Sequence, residues 1–222
     1  MRISKEEHWE QQQQEEFKTR KEGTTLAQSK KAAYFIDILK KHQAKKVLDL
    51  GCNDGGFTMR LEQEGFEAIG MDLPDVVKHA QQSFPKGHFV AGSGEKKFPF
   101  KDGSFDAIIA SEIIEHIQED KQFIEECKRI LKKGGMLIMA TPNPEYAIHV
   151  WLRMLGYKWD KGQDMHAREY TWEEFKTLLS PLSNVTIKGI PFSYIDHKSK
   201  VGWIERFLAD RQKHTLVAVG VR

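Results

Sequence analysis

With 222 residues, the chain is long enough to bury well over half of its unfolded surface in one domain without disulfides or a structural metal. Its 34 Lys and Arg nearly cancel 32 Asp and Glu, and a net charge of +2 leaves no broad electrostatic footprint for duplex nucleic acid. No apolar run approaches the roughly 20 residues that span a bilayer, the start is charged from Arg2 onward, and Cys52 and Cys127 suit a reducing compartment, so a cytoplasmic protein is expected.

Residues 1–22 are polar, carry a Gln11–Gln14 run and hold few large apolar side chains beyond Ile3, Trp9 and Phe17, which reads as an N-terminal arm. The arm is free to fold over a ligand, to swap onto a partner in a homodimer or to stay disordered. Residues 23–222 read as a single domain. Leu26–Leu39 has the apolar content of a packed helix, with Lys40 and Lys41 matching the negative end of its dipole. Short apolar strands then alternate with helices. The strands are Val47–Leu50, Ala68–Met71, Phe89–Ala91, Ala107–Ala110 and Met136–Ala140, with Val185–Ile190 and Leu216–Val221 as a closing antiparallel pair. The helices are Phe57–Glu64, Pro74–Ser83 and Asp120–Leu131, the last expected to stop at Gly134-Gly135. Strands that are apolar throughout and alternate with helices predict an α/β fold with a parallel sheet covered on both faces.

In such sheets ligands bind beyond the carboxyl ends of the strands. After the first strand comes Gly51-Cys52-Asn53-Asp54-Gly55-Gly56, in which Gly51, Gly55 and Gly56 permit positive φ and close approach of a ligand, and Asn53 tolerates the left-handed region. Asp72 follows the second strand, 21 residues beyond Gly51, where a carboxylate can accept both hydroxyls of a ribose. Gly92-Ser93-Gly94-Glu95 follows the third strand, and Ser111 through His116 follows the fourth. A dinucleotide and S-adenosylmethionine compete for this cleft. The glycines are spaced Gly51-x-x-x-Gly55-Gly56 rather than G-x-G-x-x-G, and Asp49 and Asp54 place negative charge beside the turn, which disfavours a pyrophosphate and suits a cationic amine and sulfonium.

From about Lys46 to Gly220 the chain resembles class I S-adenosylmethionine-dependent methyltransferases. Asp49-x-Gly51-x-x-x-Gly55 resembles the family's first motif, which contacts the methionine part, and Met71-Asp72-Leu73 resembles the second, where the acid holds the ribose. Gly92 to Asp106 resembles the adenine-lining stretch, and Arg129–Gly135 with Ala140–Pro144 resembles the segment that closes the sheet. Asn53 replaces the family's middle glycine, and Ser93 stands where relatives often place an aspartate for the adenine amine. The resemblance implies a Rossmann-like, doubly wound seven-stranded sheet in the order 3-2-1-4-5-7-6. It implies cofactor contacts from Asp49, Gly51, Asn53, Gly55, Asp72, Leu73, Ser93, Gly94 and Ser111, with S-adenosylhomocysteine as product.

Two insertions above the carboxyl edge, at about 145–170 and 193–213, are rich in aromatic residues and are expected to recognise the acceptor. Glu112-Ile113-Ile114-Glu115-His116 with distal His166 resembles the E-x-x-E-H pattern of metal-assisted O-methyltransferases, such as the ubiquinone-pathway enzymes and small-RNA ribose methyltransferases. Glu112, Glu115, His116 and His166 would then hold a divalent ion such as Mg, which lowers the pKa of an acceptor hydroxyl. Without metal, His116 or His166 is the expected general base, with Glu115 beside them. The expected reaction is methyl transfer to a small-molecule hydroxyl; an RNA ribose acceptor and a non-catalytic protein that only binds the cofactor are the alternatives.

Overall fold

The computed structural model describes residues 26–154, 168–191 and 208–222, with backbone alone at 148, 149, 152 and 153. The arm at 1–22, His166, half of the first insertion and most of the second lie outside the described residues. Seven strands form one sheet: β1 (Lys46–Leu50), β2 (Glu67–Asp72), β3 (Phe89–Ala91), β4 (Phe105–Ser111), β5 (Leu131–Pro142), β6 (Ser183–Ile190) and β7 (Thr215–Val221). Their order is β3-β2-β1-β4-β5-β7-β6, parallel from β3 to β5, with β7 antiparallel to both β5 and β6. This is the expected architecture.

The period of two along each strand divides the core into two layers. Leu48, Ile108, Leu137 and Met139 point to the face covered by α4 (Asp120–Ile130) and α6 (Trp172–Leu178). Val47, Ile109, Met136 and Ile138 point to the opposite face, covered by α1 (Lys30–Lys41) and α2 (Gly56–Gln63). The remaining helices are α3 (Pro74–Ser83), beside β2 and β3, and α5 (Ala147–Met154). Both cysteines are buried and free. Among the described residues no helix is long and apolar enough to cross a membrane.

Two boundaries depart from the sequence expectation. The helix read over Leu26–Leu39 is broken at Ser29, whose hydroxyl oxygen accepts Ala32 N–H at 3.1 Å and donates to the Leu26 carbonyl at 2.8 Å. That cap starts α1 at Lys30 and leaves Leu26–Gln28 as a separate 3-10 turn. The Gly134-Gly135 pair does not end α4, because the chain is already extended at Leu131. A Cβ on Gly135 would lie 2.9 Å from the Lys132 carbonyl oxygen and 3.0 Å from that of Asp106, so this glycine serves close strand approach. The capping box before α6 is present as expected: Thr171 caps Glu174 N–H, and the Glu174 carboxylate accepts Thr171 N–H at 2.9 Å.

Candidate active site

The turn after β1 is built as its residues require. Gly51, Asn53 and Gly55 have φ of +77°, +50° and +81°. Gly51 N–H donates to the Met71 carbonyl at 2.8 Å, tying the turn to β2. A Cβ on Gly51 would collide with Ile113 Cδ1 from the β4 loop. Gly56 departs from the expectation of positive φ: it opens α2 and donates its N–H to Asp54 Oδ1 at 2.9 Å. The Asp54 carboxylate therefore caps the local backbone.

Asp72, at the end of β2, accepts Asn53 N–H at 2.9 Å on Oδ2 and Leu73 N–H at 2.8 Å on Oδ1. The two amides fix the orientation of both carboxylate oxygens. Around Asp72 an open cleft of about 580 Å³ is lined by Leu50 and Gly51 after β1, Met71 to Leu73 after β2 and Gly92 to Glu95 after β3. Ile113, His116 and Ile117 after β4 complete it.

Of the sequence-predicted cofactor residues, Gly51, Asp72, Leu73, Ser93 and Gly94 line the cleft, and Asn53 meets it through the amide on Asp72. Asp49 and Gly55 stand behind the turn, outside that lining. Ser93 Oγ accepts Glu95 N–H at 3.2 Å. The wall continuing from Glu95 is pinned by Arg129 of α4, which donates to the Phe98 and Phe100 carbonyls at 3.1 and 2.8 Å. Glu126 accepts Phe98 N–H at 2.9 Å, completing the clamp. Ser111 Oγ, at the end of β4, is buried with no hydrogen-bond partner, an orphan that a polar ligand atom would satisfy. The polar ends of four strands and this orphan fit S-adenosylmethionine.

Asp49 is 3% exposed and accepts the Thr58 hydroxyl at 2.6 Å. Burial, with Asp72 and Asp54 nearby, raises its carboxyl from 3.8 to about 7 despite the Thr58 bond. The folded state thus holds this proton more tightly than the unfolded chain, so the stability it contributes is full below pH 4 and lost as pH rises through 7. Asp49→Asn, which keeps the Thr58 acceptor, is expected to match wild type near pH 4 and to exceed it above pH 7 by about 1–4 kcal/mol. Urea unfolding at pH 4.5 and 8 checks this; a gap that does not widen with pH overturns it. Burial likewise pushes the Cys52 thiol well up, so it stays protonated.

The β4 loop differs most from expectation. Glu112 to His116 is not a helix: Glu112 has φ +58°, and only Ile114–His116 forms a single 3-10 turn. The two carboxyl groups nevertheless meet. Lys31 Nζ of α1, on a side chain 6% exposed, donates to Glu112 Oε1 at 2.8 Å. Burial raises the Glu112 carboxyl, but the Lys31 charge and hydrogen bond, with His214 behind them, outweigh it and hold it below the ordinary range. Glu115 is 1% exposed, and burial followed by the Glu112 charge pushes it well above the usual value. It accepts the Thr141 hydroxyl at 3.2 Å and faces the Glu112 carboxyl.

The described residues do not support the metal expectation: the Glu112 carboxylate is engaged by the Lys31 ammonium, and burial with the Glu112 charge raises the Glu115 carboxyl, which disfavours its ionised, ligating form. Among the described residues no group of three or more His, Cys, Asp or Glu is placed to hold an ion, and His166 lies outside them. Of the three that are described, His116 alone lines the cofactor cleft.

Three residues went unread in the sequence. Lys31 falls on the stripe Lys31, Phe35, Leu39, so a cation on the buried face of an amphipathic helix was the available signal. His214 and Tyr146 pack ring edge to face at 5.2 Å near Glu112, and His214 Nδ1 lies 3.0 Å from Thr215 Oγ1. Asn143 seats this corner by donating to the Arg211 and Lys213 carbonyls at 2.8 and 2.6 Å.

Residues 48–139 match the family model described as a methyltransferase domain. The mitochondrial ubiquinone biosynthesis O-methyltransferase of Mus musculus is 32% identical over 178 residues, 70% of this chain and 46% of that protein. The ubiquinone biosynthesis O-methyltransferase of Xanthomonas oryzae pv. oryzae is 33% identical over 103 residues, 44% of this chain and 43% of its own length. The chain thus spans less than half the length of these curated relatives. A S-adenosylmethionine-dependent methyltransferase of Archaeoglobus fulgidus shares the fold with TM-score 0.61 and 17% identity, covering 86% of this chain and 94% of that one.

Proposed function

The chain belongs to the class I S-adenosylmethionine-dependent methyltransferases, and on that premise we propose that it methylates a hydroxyl oxygen of a small-molecule acceptor without a metal. The observation that carries the reading is His116, an imidazole in the wall of the cleft whose floor is Asp72 and Gly51. The names of the ubiquinone-pathway relatives support oxygen as the acceptor atom. Bound there, S-adenosylmethionine supplies a methyl group on a sulfonium that needs no further activation.

Asp72 would accept the ribose hydroxyls, and the Gly51 turn would let the methionine end lie against the backbone. Ser111 Oγ would gain a polar partner. His116 would take the acceptor's proton on a ring nitrogen as the oxygen bonds to the methyl carbon and the carbon–sulfur pair returns to sulfur, leaving S-adenosylhomocysteine. Proximity supplies much of the rate, so the protein's task is chiefly to orient the acceptor in line. Tyr146 and His214, at the base of the two insertions, would flank that acceptor.

Calorimetry with S-adenosylmethionine, S-adenosylhomocysteine and NADH tests the cofactor: the first two are expected to bind and NADH to give no heat. Binding of NADH alone overturns the reading. S-adenosylhomocysteine release is then followed with a panel of phenols, alcohols and amines, in buffer with and without a chelator. Release with a hydroxyl compound, unaffected by the chelator, is expected; turnover of amines alone overturns the oxygen assignment.

A further inference from the structure

Glu112 is one of only four described non-glycine residues with positive φ, and like Asn53 in the glycine turn it lies in a loop that builds the cofactor cleft. A left-handed conformation is unfavourable for a side chain of this length, and such strain persists only where the surroundings over-determine it. Two contacts do so. Glu112 N–H donates to the Ala140 carbonyl of β5 at 2.9 Å, and its carboxylate receives Lys31 Nζ at 2.8 Å across 81 residues of sequence. The first fixes the backbone; the second anchors the side chain to α1.

The Lys31 side chain is 6% exposed, an unusual place for an ammonium unless it is paired. Its partner Glu112 is 35% exposed, so the pair joins a buried ammonium to a half-buried carboxylate. Directly after Glu112 the loop delivers Ile113 against Gly51, then His116 and Ile117 into the cleft; Ile117 Cδ1 also closes on Gly94 from the β3 side. Movement of Glu112 would displace all three wall residues together.

We propose that Lys31 is a positioning residue of the active site, a clasp from the N-terminal helix that holds the β4 loop in its strained form and so shapes the cofactor cleft. The inference rests on that cleft being the S-adenosylmethionine site. It assigns α1 a role in binding that the family motifs, which begin at β1, do not contain. Glu115 of the 3-10 turn and His214, just before β7, face the same carboxylate, and Thr141 of β5 donates to Glu115, but none of them links it to another helix.

The test is calorimetry with S-adenosylmethionine on wild type, Lys31→Met, Lys31→Arg, Glu112→Gln and the double variant Lys31→Met with Glu112→Gly, each also followed by thermal unfolding. Lys31→Met and Glu112→Gln are expected to weaken binding about tenfold, while Lys31→Arg, which keeps the charge, stays within about threefold. The double variant is decisive. Glycine adopts φ +58° without strain, so the loop no longer needs its clasp, and affinity is expected to return to within about threefold of wild type. A merely structural Lys31 would lower the melting temperature without this recovery of affinity. Unchanged affinity in Lys31→Met, or a double variant as weak as the single one, overturns the proposal. If Lys31→Met fails to fold, Glu112→Gln and the double variant decide it alone. Failure of wild type to bind S-adenosylmethionine would instead remove the functional reading on which the clasp depends.

Discussion

Asp72→Ala is expected to weaken S-adenosylmethionine binding by at least about 100-fold. The carboxylate stands at the end of β2 with one backbone N–H on each oxygen, so it is already oriented before a ribose arrives. Hydrogen bonds to a charged acceptor contribute about 1.5–3 kcal/mol each, and two ribose hydroxyls together correspond to a factor of about 100 or more. The variant also strands the Asn53 and Leu73 amides, and Asn53 sits at φ +50° in the glycine turn, so the methionine end would loosen with the ribose end. Asp72→Asn retains the shape while losing the charge, and is expected to fall between Asp72→Ala and wild type. Calorimetry gives the affinity, and the melting temperature separates it from unfolding. An Asp72→Ala protein that binds the cofactor within a few-fold of wild type would mean that the cleft is used by another ligand.

His116→Ala is expected to lower the turnover number about 100- to 10,000-fold, the range that a positioned general base supplies. Cofactor affinity is expected to change only several-fold, because the ribose and methionine contacts are carried by Asp72 and the Gly51 turn. That division separates His116 from Lys31, whose loss acts on binding. Glu115→Gln offers the contrast. Glu115 is enclosed, protonated and bonded to Thr141, and a neutral amide replaces the acid with little change in charge, so turnover is expected to stay within about tenfold. The measurement is S-adenosylhomocysteine release with the best hydroxyl acceptor of the panel. Full turnover by His116→Ala, or collapse in Glu115→Gln with His116 intact, would move the base from the imidazole to the carboxyl pair.

The fold was largely legible in the sequence because its signals are local and redundant. Each parallel strand is a short apolar run bounded by glycine or a polar turn, and Val47-Leu48 and Ile108-Ile109 supply both faces at once. Asp72 was legible for the same reason: a carboxylate just past a strand, at a fixed distance from a glycine turn, has its position determined by the parallel register of β1 on β2. The β4 loop was not legible in this way. Glu112, Glu115 and His116 have the spacing of one helical face, and that spacing suggests a shared set of ligands. The backbone instead turns left-handed at Glu112, sets the two carboxyls against each other and Lys31, and leaves His116 to line the cleft.

Length, composition and the order of apolar runs by themselves determined a parallel sheet covered on both faces with its ligand cleft at the carboxyl ends of the strands, because burying two faces of a parallel sheet allows few other arrangements. Only the tertiary structure decided the charge of the site. Lys31 reaches Glu112 across 81 residues, and His214 approaches the same carboxylate from just before β7. No local pattern encodes such long-range neighbours, yet they shift the two carboxyls in opposite directions, Glu112 down and Glu115 up.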